Sequence, residues 1–335
     1  MELILATSDG REERTIWDNI DFEIGGESSE FGQGANTFEL SLSYPDWDGS
    51  YAFGKRIYEP NTEHGGIIKD IEGATNTDMI YIRGFTWRGY LAHRIIEPPA
   101  GQDYKTVSGE LNSVISSLVG NTFGSLFRVA STSTGVTVSN YQFNRYTTLE
   151  AGITKMLASK GYKLSIRYIQ TDLSGYVLLE AVTANDYGSQ IEISQDSPLN
   201  FANRDYRMGT NHLICLGIGE LAQRTVIHLY ADAYGNISQT QSITGLEEVV
   251  EIFDNPGADS DVLLQTGTER LQSLLNQKTF TAAVKGVDDI DLTLGDTITG
   301  RDYITGNVVT KPIVQKIVKR ENGLLTVDYK IEGEE

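Results

Sequence analysis

From Thr37 to Tyr44 apolar and polar residues alternate without a break, in the run Thr-Phe-Glu-Leu-Ser-Leu-Ser-Tyr. A two-residue period puts Phe38, Leu40, Leu42 and Tyr44 on one side, which specifies a strand with one buried face and rules out an amphipathic helix there. The rest of the first hundred residues repeats the theme. Short apolar segments at Glu2–Thr7, Phe22–Ile24, Arg56–Tyr58, Gly66–Glu72 and Met79–Phe85 are cut apart by turn sequences such as Ser8-Asp9-Gly10, Asp48-Gly49 and His64-Gly65-Gly66. Punctuation of this kind suits a barrel or sandwich. A short helix around Trp87–His93 is expected to close the region before Pro98-Pro99.

The middle of the chain has a different period. Leu111, Ile115, Leu118 and Val119 fall on one helical face, followed by Gly120 as a helix-ending residue. Thr147-x-x-Glu150 reads as a capping box opening a second helix, whose stripe is Leu149, Ile153, Met156 and Leu157. Strands at Lys163–Ile169 and Tyr176–Val182 complete a small α+β region. Strands resume from about residue 198. Arg224–Asp232 carries Ile227, Leu229 and Ala231 on one face, and a helix near 259–276 follows with Leu264, Leu271 and Leu275 as its stripe. Strands are then expected at Thr279–Val284, Asp291–Leu294, Thr297–Asp302, Val308–Lys319 and Leu324–Ile331. At 335 residues the chain is too long for one small core. The expected organisation is 1–105 β-rich, 106–197 α+β, and 198–335 β-rich with the helix inserted.

Charge narrows the function. Acidic residues outnumber basic ones 46 to 27, a net −19. Such a surface does not bind nucleic acid, because phosphate contacts need Lys and Arg to displace counterions. It serves solubility through self-repulsion, or presents acids over which DNA passes without sticking. The one cysteine, Cys215, excludes an internal disulfide and a cysteine-built zinc site. It lies in the apolar run Leu213-Ile-Cys-Leu-Gly217, as a buried small hydrophobe would. No apolar stretch has the roughly 18 residues that a membrane span needs, and Met1-Glu-Leu-Ile-Leu-Ala6 reads as a strand rather than a signal peptide.

A search for chemistry assigns no catalytic, cofactor-binding or metal-binding residue. His64, His93, His212 and His228 share no metal-binding or carboxylate spacing. Gly217-Ile-Gly219 follows an apolar strand but lacks the third glycine of a dinucleotide fingerprint. The acids Asp254, Asp259 and Asp261, and Asp288, Asp289 and Asp291, do not follow the calcium-loop pattern. Aromatic residues around Tyr44-Pro-Asp-Trp47 and Phe85-Thr-Trp87-Arg-Gly-Tyr90 suit a core, a subunit interface or a sugar platform.

Several segments together resemble the siphophage tail-hub, or tail-associated, proteins. They are Phe38-Glu-Leu-Ser-Leu42, Ile57-Tyr-Glu-Pro-Asn-Thr-Glu-His-Gly-Gly-Ile-Ile68, Ile82-Arg-Gly-Phe-Thr-Trp-Arg-Gly-Tyr-Leu91, Asn211-His-Leu-Ile-Cys-Leu-Gly217, Arg224-Thr-Val-Ile-His228 and Leu294-Gly-Asp296. The likeness spans nearly the whole chain and rests on turns and strands. The family is similar to the trimeric baseplate hub of contractile-tailed phages, which implies two β-barrel-like tube domains near the termini with smaller α+β domains between them. It implies a homotrimeric ring, made in the bacterial cytoplasm and installed in the virion tail of a phage or prophage. Its partners would be the tail tube or distal tail protein, and a tail-tip, fibre or tape-measure component. The ring would pass DNA without sequence-specific binding, with no cofactor and no enzymatic activity. Relatives carry a peptidase, lysin or fibre-like extension, which this chain, ending at Glu335 just past its last expected strand, is expected to lack. The alternatives are a carbohydrate- or receptor-binding tail module, a carboxylate-dependent glycan hydrolase, and the hub of a contractile or secretion-type injection device.

Overall fold

The computed structural model describes residues 1–16, 20–28, 36–172, 174–188, 192–193, 200–206, 208–275, 277–285, 292–301, 303–304, 306 and 308–331. The chain divides into two compact units. The larger comprises Met1–Phe201 and Thr281–Glu332, and the smaller is built on Ala202–Phe280.

The alternating segment forms the strand Thr37–Ser43, with Phe38, Leu40 and Leu42 buried as the pattern requires. Tyr44 instead starts a short 3-10 turn and is only half buried. In the larger unit's main sheet, antiparallel neighbours run in the order Leu324–Ile331, Val308–Glu321, Asp21–Glu27, Thr37–Ser43, Met79–Thr86, Gly65–Ala74, Arg56–Tyr58, Leu3–Ala6 and Glu12–Ile16, with residues 283–285 paired to the first of these. Register aligns the core side chains into rows, Phe22 against Leu40 against Ile82, and Ile24 against Phe38. Where a third side chain would follow Phe38 stands Gly84. A Cβ there would lie 2.8 Å from the Phe38 ring and 2.0 Å from the Ile67 carbonyl oxygen, so the close fit requires glycine.

The barrel-like domains expected at the two ends are not what this sheet forms. Among the described residues no sheet closes. The reason is Val308–Glu321, a 14-residue strand bonded along one edge to Leu324–Ile331 and along the other to Asp21–Glu27. N-terminal and C-terminal strands therefore share one open sheet. The chain is nonetheless β-rich, with helices as minor insertions.

Over part of this sheet the larger unit adds a helical layer. Helices α1 (Trp87–Ala92), α2 (Leu111–Val119) and α3 (Leu149–Ala158) share a core with the antiparallel pair Tyr162–Gln170 and Gly175–Thr183. Leu3–Ala6 and Arg56–Tyr58 are buried on both faces. Leu3, Leu5 and Ile57 belong to the main-sheet core, and Ile4, Ala6 and Tyr58 to the helical one. Two short strands thus serve two cores, and Tyr58 stacks on Tyr168 at a centroid distance of 4.0 Å.

Helix entry differs from the expected capping box. Thr148, not Thr147, caps α3, its hydroxyl accepting from the Ala151 N–H, which leaves Glu150 free for another role. Glu110 caps α2 by accepting from the Ser113 N–H, and also from the Thr134 N–H and hydroxyl. The strand Glu12–Ile16 was not among the expected ones. The expected strand at 291–294 is replaced, over its described part, by a turn in which Asp296 accepts from the Thr293 N–H and hydroxyl.

In the smaller unit a four-stranded sheet has the order Ile237–Ser238, Val226–Ala231, His212–Leu216, Val250–Asp254. Helix α4 (Ser260–Leu274), capped by Asp259 as its acidic entry suggests, covers one face. The contact row is Leu263, Gly267 and Leu271, while Leu264 of the expected stripe is 37% exposed. Gly267 sets this rotation, because a Cβ there would come within 2.5 Å of Cys215 Sγ. The helix lies where its smallest residue meets the sheet.

Candidate functional site

The fold collects polar side chains in three places, each considered by itself. The first is buried in the larger unit. Arg88, on α1 and 3% exposed, donates to Glu150 Oε1 on α3 at 2.8 Å and to Glu63 Oε2 at 2.8 Å. Glu150 is held on the α3 face next to Ile153 and is 1% exposed. Burial pushes the Glu150 carboxyl up, despite Arg88. Burial acts the same way on Glu63, but there the charge and hydrogen bond of Arg88 prevail and its carboxyl falls below the ordinary range. Burial alone would lower the Arg88 guanidinium, and the two carboxylates reverse this and raise it. A guanidinium so enclosed offers no site to a ligand. It ties α1 to α3 and to the segment before Gly65.

The second place is a shallow groove of about 430 Å³ on the main sheet, lined by residues that include Glu23, Phe38, Glu39, Asp70, Arg83 and Phe85. Arg83 is bound to Glu39, to Glu72 at 2.6 Å and to Asp70 at 3.1 Å, and these carboxylates, Glu72 first, raise its guanidinium further. Its donors are engaged by carboxylates on the neighbouring strands, and Lys69 lines the groove as a second cation.

The third place is in the smaller unit, on the sheet face away from α4. His212 Nδ1 is 2.7 Å from Glu248 Oε1, and His212 Nε2 is 2.8 Å from His228 Nδ1. Gln241 Nε2 donates to the same Glu248 oxygen at 2.8 Å, and Tyr230 stacks on His212 at 4.4 Å. This chain of imidazoles can pass a proton along its length. It also holds the 241–248 segment to the sheet.

Sequence spacing links none of the four histidines, yet the hairpin register brings two of them together: His212 faces Tyr230 and Ile214 faces His228, so the imidazoles are diagonal neighbours. His64 Nδ1 is 2.9 Å from Glu59 Oε2, and His93 packs against Phe85. Cys215 is fully buried, and burial pushes its thiol up. Gly217 and Gly219 belong to a turn back to Thr225, with hydrogen bonds between Gly217 and Thr225 and between Thr225 and Ile218. Asp254 pairs with Arg224, and Asp259 caps α4. Asp288, Asp289 and Asp291 lie outside the described residues. Trp87 is a core residue, whereas Trp47 is half buried and stacks on Tyr51. Among the described residues no group of three or more His, Cys, Asp or Glu side chains is arranged to hold a metal, and no helix is long and apolar enough to cross a membrane. Sequence reasoning missed the buried Arg88–Glu150 pair; the one available signal was the place of Glu150 three residues before Ile153 and seven before Leu157, inside the apolar stripe.

These features define a β-rich scaffold whose polar clusters brace the fold. No family model matches the sequence, and no curated protein does. Solved structures do match. The 43 kDa tail protein of prophage MuSo2 from Shewanella oneidensis superposes with a TM-score of 0.55 at 11% identity, over 99% of this chain and 98% of that one. The tail protein from Neisseria meningitidis MC58 gives 0.51 at 11% identity, over 99% and 96%. Prophage tail protein gp18 from Listeria monocytogenes EGD-e also gives 0.51 at 11%, over 100% and 96%. The fold is that of prophage tail proteins, and the resemblance drawn from the sequence holds at that level.

Proposed function

We propose that this chain is a structural subunit of a phage or prophage tail, forming a trimeric baseplate hub ring that joins the tail tube to the tail tip and lets DNA pass. The observation that carries the reading is the end-to-end likeness to prophage tail proteins, which covers nearly all of both chains in each case. On this reading the protein is made in the bacterial cytoplasm and resides in the virion tail, with the tube or distal tail protein on one side and a tip, fibre or tape-measure component on the other. It works mechanically and catalyses nothing. A net charge of −19 per chain suits a lumen whose acids repel phosphate. Three copies also give exposed strand edges and apolar side chains closed, heterologous contacts.

Light scattering on the purified chain, followed by negative-stain imaging, tests this. The expected result is a mass three times that of the 36.9 kDa chain and a threefold ring with a central hole. A monomer that stays monomeric when mixed with tail-tube protein would refute it.

A further inference from the structure

The smaller unit carries a strand edge and sheet face that are open in the single chain. Its sheet ends at Val250–Asp254, which pairs with His212–Leu216 on one side in an unbroken parallel register and, among the described strands, has no neighbour on the other. Proteins protect such edges with charged side chains, lysine above all, with proline or with a bulge. The sequence Val-Glu-Ile-Phe-Asp has no lysine, proline or bulge, and its two charges, Glu251 and Asp254, are both acidic. The sheet face turned away from α4 presents two apolar side chains along this edge, with His212 beside Val250 and Asp254 at the far end. Ile252 is 64% exposed and Val250 48%, with Ile214, Leu216 and Val226 continuing the face inward. An open backbone ladder therefore adjoins an open apolar surface.

Charge selects the occupant. Glu247 and Glu248 precede the edge, Glu251 and Asp254 lie in it, and Asp259 and Asp261 follow it. Against these stand Arg224, paired with Asp254, and Arg270, 3.5 Å from Glu251. A second copy would bring the same excess of acids. Antiparallel self-pairing centred on Ile252 sets Asp254 of each copy opposite Val250 and next to Glu248, so like charges meet at both ends. We propose that the Val250–Asp254 edge receives an extended segment of a different protein, with apolar residues alternating along it and lysine or arginine at its ends. Its backbone would extend the sheet and its apolar side chains would cover Val250 and Ile252.

The test is fluorescence anisotropy on the full chain with two short synthetic peptides. Each alternates valine or isoleucine with threonine, and they carry lysine or glutamate at both ends. The lysine peptide is expected to bind at least about tenfold tighter at low salt, and the difference should largely vanish near 0.5 M salt as screening sets in. Ile252→Lys should abolish binding, while Tyr234→Ser, at an exposed turn away from the edge, should leave it unchanged. Circular dichroism would verify that both variants fold. Equal binding of the two peptides, or no binding of either, would overturn the proposal. So would self-association of the free chain that Ile252→Lys abolishes, because the occupant would then be a second copy.

Discussion

Replacing Arg88 by alanine removes the one cation shared by two enclosed carboxylates. In the native unit Glu150 is 1% exposed and Glu63 accepts at 2.8 Å from the same guanidinium. Stripping one partner from a buried ion network leaves uncompensated charge and costs about 3–5 kcal/mol. For a unit of this size each kcal/mol lowers the melting temperature by about 2–4 °C, so Arg88→Ala should melt roughly 6–20 °C below the parent in calorimetry at pH 7.5. The loss has a pH signature. Glu150 already titrates above its ordinary value through burial, and losing Arg88 should raise it further in the folded state. A group raised in the folded state gives stability below its unfolded pKa and loses it as pH rises through the folded one. The deficit of Arg88→Ala should therefore be smaller at pH 5 than at pH 8. The triple variant Arg88→Met, Glu63→Gln, Glu150→Met should recover most of the loss, because an apolar replacement leaves no orphaned charge. A deficit under about 1 kcal/mol, or one that stays constant between pH 5 and 8, would refute the reasoning.

Other consequences can be measured with the same protein. Gly267→Ala sets a methyl 2.5 Å from Cys215 Sγ and should cost about 1–3 kcal/mol by urea denaturation, with Cys215→Ala restoring part of it. Glu110 has its carboxyl drawn down to about 2; burial opposes this, and the Thr134 N–H and hydroxyl with the Ser113 N–H outweigh it. Since that pKa is depressed in the folded state, its stabilisation is present above 4.5 and fades as pH falls towards 2. Glu110→Ala should thus cost about 1–2 kcal/mol at pH 7 and much less near pH 2.5, read as urea midpoints. Cys215, buried with its thiol raised, should react with a thiol reagent only as fast as the smaller unit opens. Labelling of the native protein as rapid as in urea would contradict its burial.

Strand identity was legible wherever one face was buried and the other wet. Phe38, Leu40 and Leu42 announce themselves by alternation, and the structure buries all three. Leu3–Ala6 is buried on both sides and carries no alternation to show which residue faces which core. The rotation of α4 was misread because leucines at 263 and 264 compete for one face, and only contact with Cys215 chooses between them. Capping failed by one residue at Thr147, since two adjacent threonines offer the same hydroxyl and tertiary burial of Glu150 decides. The polar clusters were the least legible part. His212 meets His228 through hairpin register, and Arg88 meets Glu63 and Glu150 through packing of three separate segments. Neither kind of proximity is written in local spacing.

The pairing of Val308–Glu321 with Asp21–Glu27 also bears on how the chain is made. Lys316 sits beside Gly26 and Val318 beside Ile24, so the main sheet joins segments synthesised far apart in time. During elongation the early strands wait with one ladder open, while the helical layer, built from nearer neighbours, can settle first. Late closure of distant contacts is slow and leaves an adhesive edge exposed meanwhile. A nascent chain stalled before residue 308 should therefore hold a partly formed sheet that folding helpers recognise.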